Sequence, residues 1–216
     1  MRDFLEALRV QRWDDHRYYH HSRINQSLHL VSAVSFLVAY ALAFKDPAGA
    51  ALVGWLLAMT SRQVGHLFFE PKGYDAVNQA THEHKEEIKV GYNLRRKIVL
   101  LLIWALSPLA LYARPGLFGL CQPYQTDAQL IRQVGGLWLA LGISGLAFRT
   151  IQLFFVRDVQ TGLVWATKIL TDPFHDIKLY HKAPLQLLRA RHGADAAHLA
   201  VLDDEEDDGA ASAAVG

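Results

Sequence analysis

The chain of 216 residues carries 22 Lys and Arg against 21 Asp and Glu, a formal net charge of +1. That balance lacks the basic excess that nucleic-acid binding needs to neutralise phosphates. A single cysteine, Cys121, excludes an intrachain disulfide framework and a cysteine-based zinc site. Histidine, with 11 copies, is the conspicuous metal-ligand type.

Residues 1–27 are charged and aromatic, without an apolar core or a small-residue cleavage site, and read as a cytoplasmic segment and not a secretory signal. Four apolar runs follow: Leu28 to Phe44, Ala48 to Phe69, Ile98 to Ala113 and Val134 to Val156. Each approaches the roughly 17–25 residues that cross a bilayer as a helix. They are apolar around the whole circumference and not in a stripe, which a small soluble bundle has too little interior to hide. The expected fold is therefore all-α: an integral membrane bundle of four transmembrane helices spanning 28–156.

Lys45-Asp46-Pro47 predicts a tight turn, so the first two spans form a hairpin. Residues 74–97 predict a charged helix at the cytoplasmic face. Thr171-Asp172-Pro173 predicts a helix start, with Pro where its missing N–H does no harm. Residues 157–202 are expected to form interfacial cytoplasmic helices. The six acids of 203–208 open a tail, 203–216, expected to be disordered. Basic residues concentrate before span one, between spans two and three, and after span four. The positive-inside rule then puts both termini in the cytoplasm.

All the histidines fall on that same side. His21, Asn25 and His29 follow one another at steps of four, a polar stripe on a helix, and Arg62, His66 and Glu70 repeat the step. The two stripes reach the same membrane level across the hairpin. Neutral imidazoles with a carboxylate are a ligand set for iron(II) with open positions for substrate and oxygen. An arginine within a span is a functional candidate, so Arg62 and Arg149 are candidate carboxylate partners. Thr81-His82-Glu83-His84 adds two further candidate ligands, His82 and His84, which would point in opposite directions on a helix. His16, His192 and His198 read as surface residues.

The segment Tyr19-His20-His21-Ser22-Arg23-Ile24-Asn25-Gln26-Ser27-Leu28-His29 resembles the Y-H-H-N-x-x-N-x-x-[IL]-H signature of the fungal 2-hydroxy-palmitic acid dioxygenase family. Val64-Gly65-His66-Leu67-Phe68-Phe69-Glu70 resembles that family's V-G-H-x-x-F-E signature. The match covers the first third of the chain. Ser22 stands where the family has Asn, and Pro71-Lys72-Gly73-Tyr74 replaces its later Pro-containing segment. The resemblance implies a membrane enzyme of the endoplasmic reticulum or the bacterial inner membrane. It implies iron(II)-dependent α-oxidation: a long-chain 2-hydroxy fatty acid and O₂ yield CO₂ and the acid one carbon shorter. It also implies His20, His21, His29 and His66 as iron-site histidines, with Glu70 a ligand or its partner.

Two other classes compete with that expectation. A diiron hydroxylase or desaturase relative would need about eight ligands in HxxxH and HxxHH boxes, which the sequence lacks. A non-enzymatic scaffold or transporter would favour polar groups at mid-membrane, whereas these cluster toward one end.

Overall fold

In the computed structural model, residues 2–70, 73–88, 90 and 94–192 are described, and all regular structure among them is helical. Helix α1 spans Arg2–Tyr19 and α2 Arg23–Ala43. Helix α3, Pro47–Val53, continues through a π-helical turn, Gly54–Met59, into α4, Thr60–Phe68. Then come α5 (His82–Ile88), α6 (Leu94–Ala113), α7 (Asp127–Val156), α8 (Val159–Tyr180) and α9 (Ala183–His192). The acidic tail and residues 193–202 lie outside the described residues.

Three of these helices are long and apolar enough to cross a membrane: Arg23–Ala43, Arg96–Ala113 and Asp127–Val156. The remaining expected span, 48–69, is the rod formed by α3, the π turn and α4. Their junction residues keep right-handed helical dihedrals, so the backbone runs on without a break. On α6 and α7 large apolar side chains such as Leu102, Leu106, Leu109, Ile143 and Phe148 point outward from the chain. An aqueous surface would not carry so many, and acyl chains would accept them.

Local chemistry sets the ends of the elements. The Ser22 hydroxyl accepts from the Ile24 amide at 3.2 Å and starts α2. Asp46 accepts from the Gly49 amide at 3.1 Å, with Pro47 in the first turn of α3, which gives the predicted hairpin. Helix α3 packs against α2 and α7, whereas α4 packs against α2. The wider π turn between them rotates the faces beyond it, which accounts for the change of partner. Against α7 the approach is backbone to backbone: a Cβ on Gly135 would lie 2.5 Å from the Ala48 carbonyl oxygen. Three tryptophans fasten the rod, α6 and α7 together. Trp55 stacks on Trp104 at 5.3 Å, and its indole N–H donates to the Trp138 carbonyl at 2.9 Å. Trp138 donates in turn to the Ser107 hydroxyl at 3.1 Å.

Two sequence-based expectations are corrected. Residues 74–97 do not form one charged helix. Asp75 accepts from the amides of Val77 and Asn78, each at 3.1 Å, and closes a turn that ends at Ala80, so helix is confined to α5 and to α6 from Leu94. Thr171-Asp172-Pro173 does not start a helix either, because α8 begins at Val159 behind Asp158, whose carboxylate accepts from the Thr161 amide at 2.8 Å. Pro173 sits inside α8, buried, and the Tyr40 hydroxyl donates to the nearby Leu170 carbonyl at 3.1 Å. Burial of the ring in the bundle offsets the hydrogen bond that the proline cannot donate.

Candidate metal centre

The turn between α1 and α2 is built by side chains of α2. Asn25 Nδ2 donates to the Tyr19 carbonyl at 2.8 Å, and Gln26 Nε2 donates to the His20 carbonyl at 2.9 Å. Both occupy carbonyls left over at the end of α1, and both side chains are buried. The reversal folds His20 back over α2 and turns His21 the other way. Helix α4 then closes on α2 at Gly65, where a Cβ would collide with Asn25 Oδ1 and lie 3.5 Å from His29 Cδ2. Only a residue without a side chain lets the two helices approach so closely.

The result is a group of three imidazoles, His20, His29 and His66, whose candidate ligand nitrogens all lie within 4.8 Å of one another. Ring centroids are 4.0 Å apart for His20 and His29, 4.9 Å for His29 and His66, and 5.6 Å for His20 and His66. Each ring has its Nδ1 beside an oxygen. His20 Nδ1 is 2.8 Å from the Tyr180 hydroxyl, His29 Nδ1 is 3.8 Å from Asp176 Oδ2, and His66 Nδ1 is 3.4 Å from Glu70 Oε2. Tyr180 stands at hydrogen-bond distance, so His20 Nδ1–H donates to the phenolic oxygen and Nε2 is left as the ligand atom toward the shared centre, while Asp176 and Glu70 place carboxylates farther off beside the other two rings. The Nε2 atoms of His20 and His29 are buried with no hydrogen-bond partner among the described residues. Orphaned imidazole nitrogens facing one point are costly without an occupant, and they fit a divalent transition metal.

Electrostatics keep the ligands ready. Burial, then the neighbouring His29 and His66, hold His20 well below the ordinary histidine range, so it stays neutral, the form that binds metal. Burial, then Asp176, pushes the Tyr180 phenol well above its usual value, so it stays a neutral hydroxyl whose oxygen accepts from His20 Nδ1–H. Asp176 is raised to about 6 by burial, against the pull of Arg62. A buried ion network adjoins the centre. Arg12 lies 3.2 Å, Arg62 3.6 Å and Lys168 2.7 Å from the Asp172 carboxylate, and Lys168 also pairs with Asp15. Burial opposes ionisation of Asp172, but Lys168 and Arg62 prevail and hold its carboxyl below its ordinary value. A small cleft lined by Arg62, Asp172, Asp176, His20 and Tyr180 joins this network to the imidazoles.

The structure thus brings together His20, His29 and His66 and sets Glu70 behind His66. His21 lies outside the group, with Nε2 3.3 Å from Asp75 Oδ2. His82 and His84 are exposed on α5, His84 lying edge-on to Tyr18. Arg62 borders the centre. Arg149 does not: it donates to Gln152 Oε1 at 2.7 Å and to the Val90 carbonyl at 2.6 Å, tying α7 to the segment before α6. His16, read from sequence as a surface residue, is half-buried, with Nδ1 3.1 Å from the Tyr180 hydroxyl. Asp176 and Tyr180 escaped the sequence reading. Their signal was available as Lys168, Asp172, Asp176 and Tyr180, a polar stripe at steps of four along α8. Among the described residues these three imidazoles are the one group of three potential ligands close enough together to hold an ion.

Comparison of the chain with protein-family models, with curated proteins and with solved structures returns no match.

Proposed function

We propose that the protein is an iron(II)-dependent dioxygenase of the membrane, which oxidises a long-chain 2-hydroxy fatty acid. The acid and O₂ give CO₂, water and the acid one carbon shorter. One observation carries this reading: three imidazoles converge, His20 and His29 buried and His66 half-buried, each with Nδ1 near a phenol or carboxylate oxygen. His20, His29 and His66 would hold the metal. Iron bound there would supply Lewis acidity, one-electron chemistry and open positions for the hydroxy acid and O₂. The chain's own residues do the rest. Tyr180 keeps His20 aimed, Asp176 and Glu70 set carboxylates beside the other two rings, and Gly65 and Asn25 keep α4 and α2 close enough for the rings to meet. The apolar spans offer the acyl tail a solvent like its own, and the polar end with its cations would lie at the cytoplasmic interface, both termini on that side.

The test is metal analysis of the purified full chain, followed by incubation with iron(II), O₂ and 2-hydroxyhexadecanoate. One iron per chain and release of pentadecanoate with CO₂ are expected. A second reading rests on the same donor set, since three imidazoles without a ligating carboxylate also suit a hydrolytic zinc ion. One zinc per chain that iron does not replace, with no shortened acid, would favour that reading and overturn the first.

A further inference from the structure

The end of the bundle away from the imidazoles carries a chemistry of its own. The loop between α6 and α7 belongs to that end: Gln133 of α7 donates to the Gln122 carbonyl, and Arg132 pairs with Asp46 of the first hairpin turn at 3.0 Å. Between Arg114 and Asp127 the loop has no charged residue. Its tip is a 3₁₀ turn, Leu117–Gly119, in which Leu117 and Phe118 hold φ of 41° and 58° and Gly119 of 89°. Glycine alone takes such left-handed backbone freely, so the first two residues are strained. The turn throws Phe118 and Leu120 outward, 87% and 82% exposed, and Phe44, at the same end of the bundle, is 90% exposed. Water is a poor solvent for that display. The backbone beneath it is largely self-sufficient. The amides of Leu117, Gly119, Leu120 and Cys121 donate to the carbonyls of Arg114, Gly116, Leu117 and again Gly116 at 2.7 to 3.2 Å. A loop paired in this way needs less from water at the edge of a bilayer.

We propose that this loop is a membrane anchor: its backbone lies at headgroup level in the leaflet opposite the imidazoles, and Phe118 and Leu120 sink into the acyl chains below. Three observations select lipid as the occupant. The loop joins two helices long and apolar enough to cross a membrane, so both of its feet stand at the edge of the bilayer. The outward face of α6, with Leu106, Leu109 and Tyr112, leads into it, so the patch continues a surface that acyl chains already cover. Charge is kept to the feet, where exposed Arg114 can reach lipid phosphates while the tip stays uncharged. The anchor has a mechanical consequence. Helix α7, with 30 residues, is roughly 45 Å long against a hydrocarbon core of about 30 Å. A helix with that surplus can tilt or slide, and a wedge at one end fixes its depth, and with it the level at which the imidazoles meet the other surface. The anchor is independent of the proposed chemistry and needs no metal.

The experiment uses the one native cysteine to advantage. Cys121→Ser, which keeps a donor for the Pro115 carbonyl, gives a cysteine-free full chain. Into it go Phe118→Cys, Leu120→Cys or Asp127→Cys, all at exposed side chains, so that each variant keeps its packing. Each carries a nitroxide label and is reconstituted into phosphatidylcholine vesicles. Power saturation of the spin resonance then measures collision with O₂, which concentrates among acyl chains, and with a neutral nickel chelate, which stays in water. Labels at 118 and 120 are expected to meet the chelate several-fold less often than the label at 127, and O₂ more often. Equal access of the chelate to all three positions would overturn the anchor. Loss of access to both reagents at 118 and 120 would overturn it as well, because that marks cover by protein, a second copy included, and not by lipid.

Discussion

His20 and Tyr180 stand 160 residues apart in the chain and 2.8 Å apart at Nδ1 and the phenolic oxygen. The same hydroxyl is 3.1 Å from His16 Nδ1, so one buried phenol of α8 ties both histidines of the first helical segment. The C-terminal third of the described chain therefore belongs to the centre and is not an appendage to it. Tyr180→Phe removes a single oxygen and keeps the packing. It should lower iron affinity by about 10–100-fold while leaving the helical circular dichroism unchanged. Competition with a chelator measures this, and unaltered affinity would show that the phenol does not orient His20.

Gly65 is where α4 meets Asn25 and His29. Gly65→Ala forces a methyl group against the Asn25 side chain, at a cost of about 1–3 kcal/mol if the helices separate to accept it. Separation moves His66 away from His29, so iron stoichiometry should fall together with stability. Gly136, around which a Cβ would meet open space, is the control, and Gly136→Ala should change neither. Metal content and a denaturant titration on both variants decide the matter.

The three imidazoles differ from the other described histidines in convergence, and His20 and His29 in burial as well. His20→Ala, His29→Ala and His66→Ala should each lose stoichiometric metal. His82→Ala and His181→Ala, whose side chains are exposed, should keep it. His21→Ala should also keep the metal and only loosen the turn at Asp75. Loss of metal in His21→Ala would return His21 to the ligand set.

Stability of the metal-free protein should depend on pH through two opposed groups. Burial raises Asp176 from 3.8 to about 6, so between those values the folded chain holds a proton that the unfolded chain has lost. Its contribution improves as pH falls through 6, and above that it costs at most about 3 kcal/mol. His20 acts with the opposite sign. Burial keeps it neutral below 6.5, where the unfolded chain binds a proton, so stability is lost as pH falls below 6.5. Asp176→Asn removes only the first effect and should gain on the wild type as pH rises from 4 to 7. Parallel unfolding curves for the two proteins would contradict a raised Asp176.

How much of this was legible in the sequence follows from the range of the interactions involved. Long apolar runs, the Asp46-Pro47 turn and the four-residue steps of His29 and His66 are local patterns, and a local pattern fixes a helix, a hairpin and the level of a side chain along it. That much was determined by the sequence alone: an all-α membrane bundle with histidines meeting across its first hairpin. Which of the adjacent His20 and His21 turns inward was decided by tertiary structure, because Asn25 and Gln26 grip carbonyls of the preceding helix and Asp75 waits on the other side. The same holds for Asp176, Tyr180 and the uninterrupted α8. Pro173 reads locally as a helix start, and only burial against distant partners offsets its lost hydrogen bond. Contacts across 100 residues or more depend on how helices cross, and no spacing along one helix encodes that.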